Sequence, residues 1–279
     1  MTIAQMTIAH IIILLGTGTV VGFASGLLGS GGGFIMTPVQ YSIFTNMGIS
    51  TDIAIKLAFG TSLLVILPTV VSGAWRHHKR GAVRWKAAII MGSCGFMSSF
   101  GGVEIADILP GTWLKMVFGA VVLASGIRML ISKPRESEQV PKENPWLLVA
   151  WAIPIGIVTG MTGLGGGVVA VPIMVLALKF KMHNAVATSL AMIIFTSTGG
   201  VIGYIIKGLG IPDLPAYSIG YVNLPAWFLL AVTSIGMAQV GVMVAHRLPA
   251  RQLRWIFIAV MFYVALRMLG VFEWLGWPL

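Results

Sequence analysis

The sequence predicts an all-α polytopic membrane protein with two inverted-topology repeats, each a glycine-broken re-entrant hairpin followed by three transmembrane helices. Three observations carry this prediction. The 279-residue chain is 57% hydrophobic and only 9% charged, with a mean hydropathy of +0.93, which is typical of bilayer-embedded proteins. A glycine-rich segment occurs twice with the same spacing. The basic loops of one half do not correspond to the basic loops of the other.

The glycine-rich segment runs from Gly22 to Pro38, and its copy runs from Gly156 to Pro172. Every glycine of the first segment and its closing proline recur in the copy. Consecutive glycines are unfavourable in a helix, and irregular backbone at membrane depth is tolerated only against protein or a water-filled cavity. Two matched interruptions of this kind are the best sequence indication of a transporter's binding site.

The first repeat is predicted to occupy residues 1–132. Thr7–Leu28 is long enough for one helix, and it ends at the break Gly29–Gly33. The apolar segment that follows, Phe34–Phe44, is too short to cross a hydrocarbon core of about 30 Å. Three apolar segments of spanning length complete the repeat: Ala54–Trp75, Ala87–Val103 and Trp113–Ile131.

A polar segment with three prolines, residues 133–145, is predicted to be a cytoplasmic linker. The second repeat, residues 146–279, begins with Trp146–Leu178, which contains the second glycine break. Its predicted spans are Asn184–Ile206, Leu224–Ala245 and Trp255–Trp274. Because Thr61-Ser62-Leu63 recurs as Thr188-Ser189-Leu190, the duplication extends beyond the glycines.

The basic residues decide the relative orientation of the halves. The loop Arg76–Lys86 has five Lys or Arg, and its counterpart Lys207–Asn223 has one. Conversely, Glu104–Lys115 has two acids and one base, whereas its counterpart His246–Arg254 has three arginines and no acid. Basic loops lie on the cytoplasmic side, so corresponding loops are predicted on opposite sides, with both termini outside.

This orientation requires an even number of crossings for each glycine-broken segment, which is why a re-entrant hairpin is predicted. The alternative is eight simple spans with parallel halves. That arrangement leaves the exchange of basic loops unexplained.

The two glycine tips are the predicted substrate site. Each precedes a short helix whose N-terminus offers unpaired N–H groups and about half a positive charge. Tips that enter from opposite faces and meet near the midplane would bind an anion without a buried Lys or Arg, and nearby hydroxyls would add donors. The predicted substrate-binding residues are Gly29, Ser30, Gly31, Gly32, Gly33, Thr61, Ser62, Thr162, Gly163, Gly165, Gly166, Gly167, Thr188 and Ser189.

Purely structural roles compete with this interpretation. Gly22 and Gly26, like their copies, form a small-xxx-small pattern that favours helix packing, and a hydroxyl in a membrane helix usually bonds its own backbone. His77 and His78 are expected to be solvated in a cytoplasmic loop rather than to bind a metal. No acid lies deep in an apolar segment, so the sequence offers no evident proton relay.

Several classes of protein and ligand are not expected. The net charge of +10 reflects basic loops beside apolar segments, so we expect a lipid bilayer and not a nucleic acid as partner. The glycine segments lack the Gly-Lys-Ser/Thr ending of a phosphate loop. Without a catalytic constellation at one depth, we expect no enzyme, no catalytic residue, no metal and no cofactor.

The paired Gly-x-x-Gly-x-Gly-Gly-Gly segments, each followed by Thr-Ser, resemble the sulfite exporter TauE/SafE family. The resemblance covers about Gly22 to Leu269. It implies a plasma-membrane exporter of sulfite or small organosulfonate anions linked to sulfur metabolism. Leu164 lacks the hydroxyl that Ser30 gives the first copy, so a symmetric serine contact is not expected. An anion channel of the same architecture is the alternative. The sequence leaves open the coupling ion, the direction of transport and the oligomeric state, with a homodimer among the options.

Overall fold

The structure is a computed structural model that describes residues 6–131, 143–247 and 249–271. Within these ranges the chain forms ten α-helices and one short antiparallel ribbon, in which Ser218–Ile219 (β1) pairs with Val222–Asn223 (β2). The first half contains α1 (Ile8–Leu28), α2 (Gly33–Asn46), α3 (Thr51–Lys79), α4 (Trp85–Ile108) and α5 (Gly111–Ile131). The second half contains α6 (Pro145–Thr162), α7 (Gly167–Leu176), α8 (Met182–Gly208), α9 (Leu224–Ala245) and α10 (Ala250–Met268).

Both halves follow the same order: a long helix, a short helix after the glycine break, and three further helices. Among the described residues, seven helices are long and apolar enough to cross a membrane: α1, α3, α4, α5, α6, α8 and α9. The prediction of an all-α polytopic membrane protein is therefore confirmed. The predicted linker, residues 133–145, lies mostly outside the described residues, so the division at 132 and 146 stays a prediction.

The predicted helices are confirmed with one exception, and several extend beyond their apolar cores. The exception is the predicted span Trp255–Trp274: α10 ends at Met268 and is not among the seven helices of spanning length, and residues 272–274 lie outside the described residues. Helix α3 continues through Arg76–Lys79 because charged side chains at a helix end can reach water while the backbone stays helical. Helix α4 similarly includes Glu104 and Asp107, which lie beyond the predicted span Ala87–Val103. Only Leu109 and Pro110 separate α4 from α5.

Helices α3 and α8 form the centre of the molecule and pack antiparallel to each other. The rings of Phe59, near the start of α3, and Tyr204, near the end of α8, lie 6.3 Å apart. At the other end of the pair, a methyl group added to Gly73 would lie 3.1 Å from Leu190. These two corresponding helices of the two halves thus run in opposite directions through the core.

Two further pairs, α1 with α9 and α4 with α6, cross at small residues. A Cβ added to Gly26 would overlap the carbonyl oxygen of Ala238 on α9, and one added to Gly160 would overlap that of Ser99 on α4. Close approach of this kind is what small residues permit in membrane helices. The packing interpretation of the small-xxx-small pattern is therefore confirmed.

Candidate functional site

The two glycine breaks contact each other in the interior. A methyl group added to Gly33 would lie 2.8 Å from the carbonyl oxygen of Gly163 and 3.0 Å from Cα of Leu164. One added to Gly167 would lie 2.5 Å from the carbonyl oxygen of Gly29. All residues of both breaks are buried. The two tips therefore meet backbone to backbone, with no space for side chains between them.

The tips need glycine because of their backbone angles. Gly29, Gly31 and Gly32 have φ of 68°, 77° and 80°, and the corresponding Gly163, Gly165 and Gly166 have 65°, 74° and 89°. These left-handed values cost other L-residues roughly 1–2 kcal/mol each. With glycine at these positions the chain can leave the helical conformation and turn without that penalty.

Helices α2 and α7 begin at Gly33 and Gly167, one residue earlier than predicted. Their N-caps, Gly32 and Gly166, make no side-chain capping bond to the first-turn N–H groups. Because glycine has no side chain that could cap these groups, each helix begins with a buried N-terminus at its positive dipole end. Such an N-terminus favours an anionic ligand.

Hydroxyls of α8 bind carbonyl oxygens of both tips. Ser189 Oγ donates to the Gly29 carbonyl at 2.7 Å, and Thr196 Oγ1 donates to the Gly165 carbonyl at 3.1 Å. These bonds fix the loop backbone and neutralise acceptors that would repel an anion.

Ser30 is the one polar side chain within the two tip segments, Gly29–Gly33 and Gly163–Gly167. It is fully buried, and its Oγ has no hydrogen-bond partner within the described residues. Buried hydroxyls are rarely left unpaired. A methyl group added to the adjacent Gly31 would lie 3.3 Å from Ile66, and one added to Gly165 would lie 3.3 Å from Ile193, so apolar side chains of α3 and α8 face the tips. An unpaired hydroxyl between donors and apolar walls is suited to a small oxyanion.

The predicted threonines Thr61 and Thr188 hold neighbouring helices. Thr61 Oγ1 accepts the backbone N–H of Asn223, the N-cap of α9, at 2.9 Å. Thr188 Oγ1 accepts the backbone N–H of Arg84, the N-cap of α4, at 3.0 Å. The two bonds are equivalent in the two halves. Each one ties a central helix to the start of a crossing helix.

Of the two remaining predicted hydroxyls, Thr162 bonds its own helix and Ser62 bonds a neighbouring helix. Thr162 Oγ1 donates to the Val158 carbonyl of its own helix at 2.6 Å. Ser62 Oγ lies 3.0 Å from Thr37 Oγ1 and accepts Gln40 Nε2 at 3.0 Å, which joins α3 to α2. The structure thus brings the glycines, Ser30 and Ser189 together, whereas the other hydroxyls bond to the surrounding helices.

Sequence reasoning missed Thr37, Gln40 and Thr196. Gln40 could have been found from the sequence, since it is an amide in the middle of a short apolar helix. A polar residue at membrane depth is costly and therefore indicates a functional site. Its Oε1 is buried and, among the described residues, has no partner. Thr196 lies eight positions after Thr188 on the apolar helix α8, and its bond to a tip carbonyl had no local signal.

One end of the α3–α8 pair carries a charged cluster, which we call the charged end: Lys56, Glu104, Asp107 and Lys207. Lys56 Nζ donates to the Asp107 carbonyl at 2.7 Å, and Lys207 Nζ lies 2.7 Å from Glu104 and 3.6 Å from Asp107. Tyr221, in the loop beside this cluster, has its pKa raised by burial and by the negative charge of Asp107, so the phenol stays neutral.

The opposite end of the pair carries His77, His183 and His246, which we call the histidine end. His77 is fully buried, so the prediction that it is solvated is wrong, whereas His78 is exposed as predicted. Lys56 and His77 are separated by about 31 Å along α3, and Ile66 lies about halfway between them. The tips are therefore equidistant from two polar ends whose separation matches a hydrocarbon core of about 30 Å.

Apolar helices of spanning length around two broken helices define a multi-pass α-helical membrane protein of the transporter class. The sulfite exporter TauE/SafE family model matches residues 14–268, and the chain belongs to this family.

Curated relatives support the same class. A probable membrane transporter protein of Methanocaldococcus jannaschii is 31% identical over 260 residues, which cover 92% of this chain and 94% of the relative. A probable membrane transporter protein of Haemophilus influenzae is 28% identical, with 92% and 97% covered. Another from Sinorhizobium fredii is also 28% identical, with 85% and 95% covered. No solved structure matches the chain.

Proposed function

We propose that this transporter exports sulfite or a small organosulfonate anion across the plasma membrane and binds it at the two glycine tips. The observation that supports the proposal is that two buried helix N-termini with glycine N-caps lie beside Ser30, whose hydroxyl has no partner among the described residues. Backbone donors bind an oxyanion without a buried cation, which would be costly at this depth. The family supports sulfite, and the geometry supports an anion.

We further infer that the halves are inverted repeats and that α1–α2 and α6–α7 are re-entrant hairpins. The antiparallel packing of α3 and α8 supports the inversion. The lengths of α2 and α7, 14 and 10 residues, support hairpins, because such helices are too short to span. Residues 1–132 and 146–279 would then be the repeats, with a cytoplasmic linker at 133–145.

Cysteine labelling tests this topology. With the native thiol removed by Cys94→Ala, we expect Lys79→Cys to react with a membrane-impermeant reagent only from the cytoplasmic side, and Ala216→Cys only from outside. Both positions are exposed, so each reagent has access when it is on the correct side. Labelling of both positions from the same side would contradict the inverted repeat.

Flux of labelled sulfite into proteoliposomes tests the substrate. We expect saturable uptake that unlabelled sulfite and a small sulfonate inhibit and chloride does not. Empty liposomes and the relative effect of sulfate serve as controls. Absence of protein-dependent sulfite flux would contradict the proposed function, and ionic currents far above carrier turnover would identify an anion channel instead.

A further inference from the structure

The histidine end joins three helices of the core. His77 lies in the last turn of α3, His183 is the second residue of α8, and His246 is the C-cap of α9. His77 Nδ1 and His246 Nε2 are 3.1 Å apart, and the His183 and His246 rings stack with centroids 5.7 Å apart. Three separate helices therefore bring one imidazole each to the same place.

The hydrogen-bond partners show where some of the imidazole protons lie. His183 Nε2 lies 3.1 Å from the Ala245 carbonyl oxygen and must donate to it, since a carbonyl only accepts. His77 and His246 share one proton between Nδ1 and Nε2. His77 Nε2 is buried and has no well-formed hydrogen bond within the described residues. Among these ring nitrogens, His77 Nε2 is therefore a buried atom with unfilled hydrogen-bonding capacity.

Neighbouring groups indicate which ligand these nitrogens take. Within the described part of the chain, no group of three or more His, Cys, Asp or Glu is placed to hold a metal ion. The positive charge of Arg80, just after α3, repels a proton on both His77 and His246. Helix α1 faces His77 with the uncharged backbone of Gly26. Among the described residues no carboxylate acts on His77 or His246, so a proton added here is favoured by an anion that enters the protein.

We propose that His77, His183 and His246 form a proton-binding site whose occupancy is coupled to anion binding at the glycine tips; this inference rests on the proposed function. The proton comes from the aqueous phase at the histidine end. The same end has an anion-attracting approach, a surface groove of about 410 Å³ lined by Trp75, Arg76, Lys79, Arg80 and Gln239.

The duplication relates the histidine end to the charged end, and so supports a role for the histidines at one end of the substrate pathway. The register that aligns Thr61 with Thr188 also aligns His183 with Lys56 and His77 with Tyr204. The register that aligns Gly102 with Gly241, which pack equivalently on α6 and α1, aligns His246 with Asp107.

The three histidines therefore occupy the positions that Lys56, Tyr204 and Asp107 occupy at the charged end. Tyr204 and His77 share a further property, because each has a buried polar atom that lacks a partner among the described residues. One end of the molecule thus carries a permanent ion pair, and the equivalent end carries groups whose charge depends on pH.

The pH range follows from the surroundings of His246, which lies outside the spanning helices. Burial lowers its pKa below the ordinary value of 6.5, and the positive charge of Arg80 lowers it further. His246 is therefore neutral at pH 7 and gains its charge only at a pH below 6.5. Its positive charge attracts the anion, so anion affinity rises as the pH falls.

The size of the coupling follows from the separation of the two sites. His77 is about 16 Å from Ile66 along α3. With an effective dielectric constant of about 20, opposite unit charges at this distance tighten anion binding about fivefold. Coupling is reciprocal, so bound anion increases proton affinity by the same factor.

Calorimetric titration of the detergent-solubilised protein with sulfite tests the coupling. We compare the wild type with the triple variant His77→Gln, His183→Gln, His246→Gln, since both see the same protonation state of sulfite at every pH. Between pH 7.5 and pH 5 we expect affinity of the wild type to rise about fivefold relative to the variant. Buffers of different ionisation enthalpy are expected to show greater proton uptake on sulfite binding by the wild type than by the variant, because the contribution of sulfite itself is the same in both.

His78→Gln is the matched control, because this neighbour is exposed, and it is expected to keep the wild-type pH profile. If the triple variant does not fold, the half-buried His246→Gln alone is expected to remove most of the pH dependence. Equal pH profiles and equal proton uptake in wild type and variants would overturn this inference and leave the proposed function intact. Failure of sulfite to bind at every pH would overturn both.

Discussion

Replacing Gly166 with alanine is expected to weaken sulfite binding about ten- to a hundredfold. Gly166 has a φ of 89°, and the new Cβ would lie 2.5 Å from Thr159 Oγ1, so the tip must shift. A shift that breaks one charge-assisted hydrogen bond to an oxyanion costs roughly 1.5–3 kcal/mol, which is the stated range of affinity. Gly32→Ala, at the corresponding position with a φ of 80°, is expected to act in the same way.

The matched control for the tip variants is Gly48→Ala. Gly48 has a φ of 81°, but a Cβ there would meet no atom within 4 Å, and it lies in the turn after α2 rather than in a tip. It therefore introduces the same backbone strain without moving the proposed site. Sulfite affinity and transport are measured at matched amounts of folded protein. Wild-type affinity in both tip variants would contradict the backbone-donor site even if sulfite is the substrate.

Gly26→Ala is expected to have its main effect on stability, with a loss of roughly 1–3 kcal/mol in the free energy of unfolding. The added methyl group would overlap the Ala238 carbonyl oxygen and lie 3.0 Å from the Val242 nitrogen, which forces α1 away from α9. The equivalent Gly160→Ala would separate α6 from α4 in the same way. Thermal unfolding in detergent, followed by intrinsic tryptophan fluorescence, measures the loss.

Gly236→Ala provides the control for packing. Gly236 lies on α9, and a methyl group there would meet nothing within 4 Å, so this variant is expected to be neutral or slightly stabilising. Unfolding temperatures of Gly26→Ala and Gly236→Ala that agree would show that the α1–α9 crossing tolerates a methyl group. Together the two glycine series separate the role of Gly26 and Gly160 in packing from the role of Gly32 and Gly166 in binding.

The proposed carrier would bind its anion between two closed polar ends. The charged end is held by Lys56 and Asp107, and the histidine end is held by His77 and His246. In this proposal, access to the tips from either side would require one of these contacts to open. A carrier that opens them alternately, rather than a channel that opens both, agrees with the buried tips in this structure.

The sequence alone determined the membrane class, the helices, the duplication and the glycine tips. These features are local: hydrophobic segments of about 20 residues must span, and glycine runs interrupt helices whatever surrounds them. The breaks at Gly29–Gly33 and Gly163–Gly167 and the packing role of Gly26 and Gly160 therefore followed from composition and spacing. The family followed from the same residues.

The tertiary structure decided what each polar side chain contacts. Thr61 and Thr188 looked equivalent to Ser62 and Ser189 in the sequence, but the two threonines bond the N-caps of α9 and α4, which are distant in the chain. His77 looked like a loop residue because charged neighbours surround it. The helix α3 continues through it, and at 3.6 residues per turn its side chain turns inward towards His246 while His78 faces outward. Such contacts depend on how helices pack, and no local pattern contains that information.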